Sequence, residues 1–226
     1  MKKIIWLFTI AMLAGVYVYA QENTGTPAIQ HAKKFFVSLS GGPTFPVSDF
    51  ASKDSANTDA GFAKTGYNIN LHAGYQLAPY VGIISSFQYA YYKMDLGDFA
   101  NEGVSTDHWQ YYGIMIGPMF TAPLGEKAKL DFKVLGGLGR VNSPKISTRY
   151  SSVYVDEGWS NTFLMNVGAD VRYNVGKTVY LLGNVDYSYM KPKFDVKVVG
   201  GDGTVPHKFQ QKISVINLNV GVGINF

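Results

Sequence analysis

The fold is decided by the last stretch of the chain, Ile213-Ser-Val-Ile-Asn-Leu-Asn-Val-Gly-Val-Gly-Ile-Asn-Phe226. From Ile216 onward it alternates without a break. Ile216, Leu218, Val220, Val222, Ile224 and Phe226 share one face, and Asn217, Asn219, Gly221, Gly223 and Asn225 share the other. A period of two means an extended strand between two different environments. A soluble sandwich strand can alternate in the same way. What separates the two readings is which face is the core.

Working outward, seven more runs of this kind precede it: Phe35–Phe45, Thr65–Leu77, Val81–Met94, His108–Thr121, Ala128–Val141, Ser160–Val175 and Thr178–Met190. In each, large apolar residues alternate with Gly, Asn, Ser or Gln. Tyr67, Ile69, Leu71, Ala73 and Tyr75 stand against Asn68, Asn70, His72 and Gly74, for example. The connections alternate in length. Pro46–Lys64, Asp95–Asp107, Asn142–Trp159 and Lys191–Lys212 are long and polar, whereas Ala78–Tyr80, Ala122–Lys127 and Gly176–Lys177 are tight turns. This rhythm predicts an all-β, eight-stranded antiparallel up-and-down barrel with its short turns at one end. The runs exceed the roughly 5–6 residues of an ordinary strand and cover the roughly 9–11 that a tilted strand needs to cross a bilayer.

Volume decides the core. Eight closed strands enclose room for side chains or one small ligand. Here the apolar set is bulky and the polar set is small, so the small set suits the lumen and the bulky set suits lipid. Aromatics agree with this. Tyr75, Phe120, Tyr173 and Phe226 fall near the short turns, and Phe45, Tyr67, Tyr89, Tyr112, Phe163 and Tyr187 near the long loops, with an aliphatic band between. Two aromatic belts are what two membrane interfaces require. The expected fold is therefore a transmembrane barrel of the bacterial outer-membrane kind. Its first strand closes on its last, because backbone groups in hydrocarbon must all be paired.

The remaining composition fits this reading. Charged residues make up 16% of the 226, below the roughly 25% of a soluble domain, and aromatics 15%. Lys2-Lys3, the apolar run Ile4–Val18 and Ala20 have the layout of a signal peptide over residues 1–20. The expected order is then a periplasmic lead-in over 21–34 and the barrel domain over 35–226. Both chain termini are expected in the periplasm. Removing Lys2 and Lys3 lowers the excess of basic over acidic residues from four to two, too small to argue for nucleic acid. With no Cys, disulfides play no part.

Five charges lie mid-strand on the luminal face: Asp131, Lys133, Asp170, Arg172 and Asp186. Depth counted from the short turns places Asp131 with Arg172 and Lys133 with Asp170, so cross-strand ion pairs are expected, with Asp186 nearby. A paired network is tolerable where a lone buried charge is costly. The network reads as a self-satisfied plug, or alternatively as the gate of a narrow ion path. An enzyme is not expected. The best constellation for one is His108 beside Asp107 and Ser105, and Ser and Asp are common in loops. His207 with Asp202 is an equally thin metal motif. No cofactor or metal is expected.

Four segments carry a family resemblance: Gly42-Pro43 to Phe50, Gly61–Tyr67, Tyr111–Pro118 and the alternating C-terminus. Together they resemble the porin-like outer-membrane β-barrel domain family common in Bacteroidetes-type bacteria, related in architecture to OmpA and OmpX barrels. The resemblance covers about Phe35 to Phe226. It implies an outer-membrane protein displaying four surface loops, in an adhesive or envelope-structural role. A narrow porin is the alternative, and a lipid-modifying barrel a more distant one. Asn219, Gly221, Ile224 and Phe226 are similar to the C-terminal signal read by the outer-membrane assembly machinery. That similarity implies this machinery and periplasmic chaperones as partners, beside outer-membrane lipid and lipopolysaccharide, for a monomeric barrel. No peptidoglycan-binding domain is expected after the barrel, unlike in full-length OmpA.

Overall fold

The computed structural model of the chain describes residues 34–54, 56–97, 103–148, 153–200 and 203–226. The expected signal segment (1–20) and all of the expected lead-in (21–34) except Lys34 lie outside them. The described strands are β1 (Phe35–Val47), β2 (Gly66–Ala78), β3 (Val81–Lys93), β4 (Val104–Thr106), β5 (His108–Leu124), β6 (Ala128–Asn142), β7 (Ile146–Thr148), β8 (Tyr154–Val155), β9 (Trp159–Asn174), β10 (Val179–Met190), β11 (Lys193–Gly200), β12 (Gly203–Gln210) and β13 (Ile213–Asn225). Eight of them close a barrel in the order β1-β13-β10-β9-β6-β5-β3-β2. All eight contacts between neighbours are antiparallel, as a meander dictates. The closing seam sets Val37 opposite Ile224 and Gly41 opposite Val220.

The alternation read from sequence sorts the side chains as expected. On β13, Val220 is 76% exposed and its neighbour Asn219 only 4%. Leu39, Ile69, Leu71, Ile114, Ile116, Val167 and Val185 are likewise exposed on the outer face. Water would penalise so continuous an apolar surface at about 25 cal/mol per Å², and contiguous patches of this kind mark a lipid or protein contact. Phe35, Tyr75, Phe120, Tyr173 and Phe226 ring the end that carries the tight turns. Tyr67, Tyr89, Tyr112, Trp159 and Tyr187 ring the other.

The structure departs from the sequence reading in two respects. The long connections are not plain loops. β11 and β12 form a hairpin inside the Lys191–Lys212 connection, and with β8, β7 and β4 they make a second sheet, ordered β12-β11-β8-β7-β4, at the loop end. The first connection folds inward as well. After a short 3-10 turn at Ser48–Ala51, Phe50 is fully buried, with its ring 5.3 Å from Tyr92 and 5.6 Å from Trp109. Trp109 Nε1 donates to the Gly61 carbonyl at 3.0 Å, and Gln211 Nε2 to the Asp59 carbonyl at 2.9 Å.

The lumen, in turn, is not uniformly small and polar. Phe36, Ile84, Tyr92, Tyr111, Met115, Met119, Leu135, Leu164, Tyr180 and Leu182 are all buried there beside the Asn and Ser residues. A barrel longer than the bilayer is thick has more interior to fill than small residues can supply, and protein interiors are close-packed.

Candidate functional site

The luminal charges come from β6, β9 and β10, and strand alternation turns all five inward. Lys133 and Asp131 are each 1% exposed. In the register, Asp131 lies directly opposite Asp170, a like charge, and Lys129 opposite Arg172. The Asp131–Arg172 and Lys133–Asp170 pairs are therefore diagonal, each reaching the strand position two residues along, which long side chains span, whereas Lys133 meets Asp186 at its own level. Depth along the strands alone suggests pairing straight across.

Two groups result. Lys133 Nζ donates to Asp170 Oδ1 at 2.8 Å and Oδ2 at 3.0 Å, and stands 3.2 Å from Asp186 Oδ1. Gly168 makes this possible. It lies opposite both Lys133 and Asp186, and a Cβ there would meet the Asp186 carboxylate oxygen at 1.8 Å. Asn184 donates to Asp170, and Asn219 Nδ2 donates to Asn184 Oδ1 at 2.8 Å. In the other group Arg172 grips Asp131 in the bidentate manner of an arginine fork, through Nε and through Nη2 at 2.8 Å. Thr121 donates to the same carboxylate. The guanidinium also lies 4.4 Å from the Phe36 ring centroid and 5.7 Å from that of Tyr180. It is thus stacked as well as paired.

Nearer the loop end, polar and aromatic residues continue the filling. Thr44 Oγ1 and Tyr92 OH are 3.0 Å apart, and Ser188 takes bonds from Asn166 at 3.0 Å and Asn217 at 3.2 Å. Tyr92 and Tyr111 stack at 6.1 Å. Thr121, Asn184, Phe36 and Tyr180 are members of the site that the charge pattern alone does not single out. A signal for Tyr180 is present nonetheless, since the alternation that sends Val179 and Leu181 outward sends Tyr180 inward.

The other candidate residues lie apart from this site. His108 is on the outer face with Nδ1 3.2 Å from Tyr91 OH, while Ser105 shares a 2.8 Å hydrogen bond with Ser147. These contacts take the place of a Ser–His bond. His207 stacks on Phe209, and Asp202 lies outside the described residues. Among the described residues no cluster of three or more His, Cys, Asp or Glu could hold a metal. Of the C-terminal set, Asn219 is luminal and Ile224 faces out. At Gly221 a Cβ would stand 2.3 Å from the Leu39 carbonyl oxygen across the seam. Phe226 donates its backbone N–H to the Phe35 carbonyl at 2.8 Å and sets its ring 5.7 Å from that of Phe35.

No family model matches the chain, and no curated protein matches it in sequence. Solved structures do match. Neisserial surface protein A is 18% identical, with 85% of this chain covering 97% of that one at a TM-score of 0.53. A major outer membrane protein from Thermus thermophilus is 15% identical, with 85% covering 99% at a TM-score of 0.55. At these identities the likeness is one of fold, and the fold is that of the eight-stranded outer-membrane β-barrel.

Proposed function

We propose that this chain is a bacterial outer-membrane protein whose role is structural or adhesive, exerted through the sheet and loops at its loop end and not through conduction. On this reading residues 1–20 direct export, both termini and the tight turns face the periplasm, and the β11–β12 hairpin faces outward. The family resemblance of the four segments belongs to the same reading. The observation that carries it is the filled lumen: a paired ionic layer near the turn end, buried aromatics near the loop end, and Phe50 over them. The alternative, a narrow porin, rests on the same five charges and requires them to part.

Planar-bilayer recording tests the choice. The purified barrel is expected to insert without single-channel openings. Stable openings whose conductance changes on Asp131→Asn or Lys133→Met would establish the porin instead.

The C-terminal residues are proposed as the assembly signal, with β13 offered as an edge strand to the insertion machinery. The Phe35–Phe226 ring contact and the close approach at Gly221 support this, because they lie on the seam that closes last in such a route. Deleting Phe226 is expected to cut the membrane-inserted fraction several-fold in cells. An unchanged inserted fraction would refute the signal.

A further inference from the structure

The outer face carries one feature that the barrel itself does not need. Where β5 pairs with β6, Gly113 lies opposite Gly139. Between the outward pair Tyr112 and Arg140 and the outward pair Ile114 and Leu138, the bare backbone of these glycines floors a groove of about 560 Å³. That is within the roughly 300–1,000 Å³ of ligand sites. One end is apolar, walled by Phe87, Ile114 and Leu138. The end nearer the loops is polar, made by Tyr112, Arg140 and Asn161. Leu138 is 71% exposed, so none of the described residues fills the apolar end.

Arg140 gives the groove its chemistry. Its guanidinium sits 5.1 Å from the Trp159 ring centroid, and Trp159 in turn lies 6.0 Å from Tyr112. The guanidinium thus lies over the Trp159 ring at the polar end of the groove. Among the described residues no carboxylate pairs with it. An outward-facing cation at the aromatic belt, above an empty apolar slot, matches a molecule with an anionic head and a hydrocarbon tail. Arginine favours phosphate because its planar fork binds two oxygens at once.

We propose that this groove is a binding site for one phosphorylated, acylated lipid of the outer leaflet. The phosphate pairs with Arg140, Asn161 is a second donor to it, and one acyl chain lies along Ile114 and Leu138. The inference rests on the outer-membrane reading above.

The test reconstitutes the full barrel in phosphatidylcholine vesicles containing a minor fraction of lipid A, re-extracts it gently, and counts retained lipid by native mass spectrometry. Heat-modifiable gel mobility serves as the check on insertion. Wild type is expected to retain one lipid A per barrel. Arg140→Gln and the groove-filling Ile114→Trp are each expected to lower that retention at least tenfold, and Lys208→Gln, on the exposed hairpin, to leave it unchanged. Insertion with undiminished retention in Arg140→Gln would overturn the headgroup contact. Undiminished retention in Ile114→Trp would overturn the acyl groove, and equal retention of phosphatidylcholine would overturn the selection for charge. Failure of the wild type to insert would instead overturn the outer-membrane reading, and this site with it.

Discussion

Lys133 shows most sharply what a charge in this lumen requires. It is buried at 1% exposure with two carboxylates within 3.2 Å. Lys133→Met keeps the length of the side chain and removes the charge, which leaves Asp170 and Asp186 facing each other without a cation. Breaking a buried pair in this way costs about 3–5 kcal/mol, whereas removing the whole group is often neutral. We therefore expect Lys133→Met to lower unfolding stability in lipid vesicles by that amount, and Lys133→Met with Asp170→Asn and Asp186→Asn to recover most of it. Urea titration read by gel mobility measures both. A single variant as stable as wild type would show that the layer is solvated and not a sealed plug. The five charges are legible in the sequence because each interrupts an otherwise small-residue face of an alternating run. Their partners, Asp131 with Arg172 and Lys133 with Asp170, are legible as well, but the diagonal geometry of the pairs is not. Asp131 and Asp170 are direct neighbours in register and like in charge, so the diagonal pairing emerges only from the strand stagger. Thr121 and Asn184 look like any other luminal polar residue until their bonds are seen.

At the scale of elements, the barrel strands were readable because every residue on them faces either lipid or lumen, which writes a period of two into long runs. The loop-end sheet has no such rule. β4, β7 and β8 are two or three residues long, too short for a pattern, and β12 contains Pro206. β11 does alternate, Phe194, Val196 and Val198 against Asp195 and Lys197, and the Gly200–Gly203 break after it sits where a hairpin turn belongs. That break is a signal for the β11–β12 hairpin, and none accompanies it for β8, β7 and β4, which complete the second sheet.

The first connection is held differently, by Phe50 and by ions. Asp95, just past β3, pairs with Lys53 and with Lys64 at 3.1 Å, and its backbone N–H donates to the Phe62 carbonyl at 2.6 Å. Bonding from Lys53, then Lys64 and the Gly97 amide, lowers the Asp95 carboxyl from 3.8 to about 2. A depressed carboxyl stabilises the folded form above the free value of 3.8, and that contribution is lost as pH falls through about 2. Both lysines are more than half exposed, so the effect is small and salt-screened. Trp109, bonded to Gly61 of the same connection, reports on it. In a Trp159→Phe background its emission is expected to shift red between about pH 4 and about pH 2, and Asp95→Asn to abolish that step. A step that persists in Asp95→Asn would assign it to another group.

For the whole molecule, the two fillings of the lumen act in series. The layer near the turn end joins Arg172, Asp131, Lys133, Asp170 and Asp186 to Phe36 and Tyr180, and the layer near the loop end joins Tyr92, Tyr111 and Trp109 to Phe50. Ions crossing the barrel must pass both, and the larger barrier sets the current. Phe50→Ala opens only the loop-end mouth and Arg172→Ala only the turn-end layer, so neither alone is expected to give stable openings in a planar bilayer. Arg172→Ala also leaves Asp131 without its cation, and that charge, newly reachable by water from the turn end, would favour cations once a path exists. The double variant is accordingly expected to conduct in brief, cation-selective events that shrink when Asp131→Asn is added. Openings in Phe50→Ala alone would mean that the ionic layer already yields to ions, and the porin reading would then replace the structural one. A silent double variant would place the seal in the packed middle of the lumen, where Met115, Leu135 and Leu164 lie buried between the two layers.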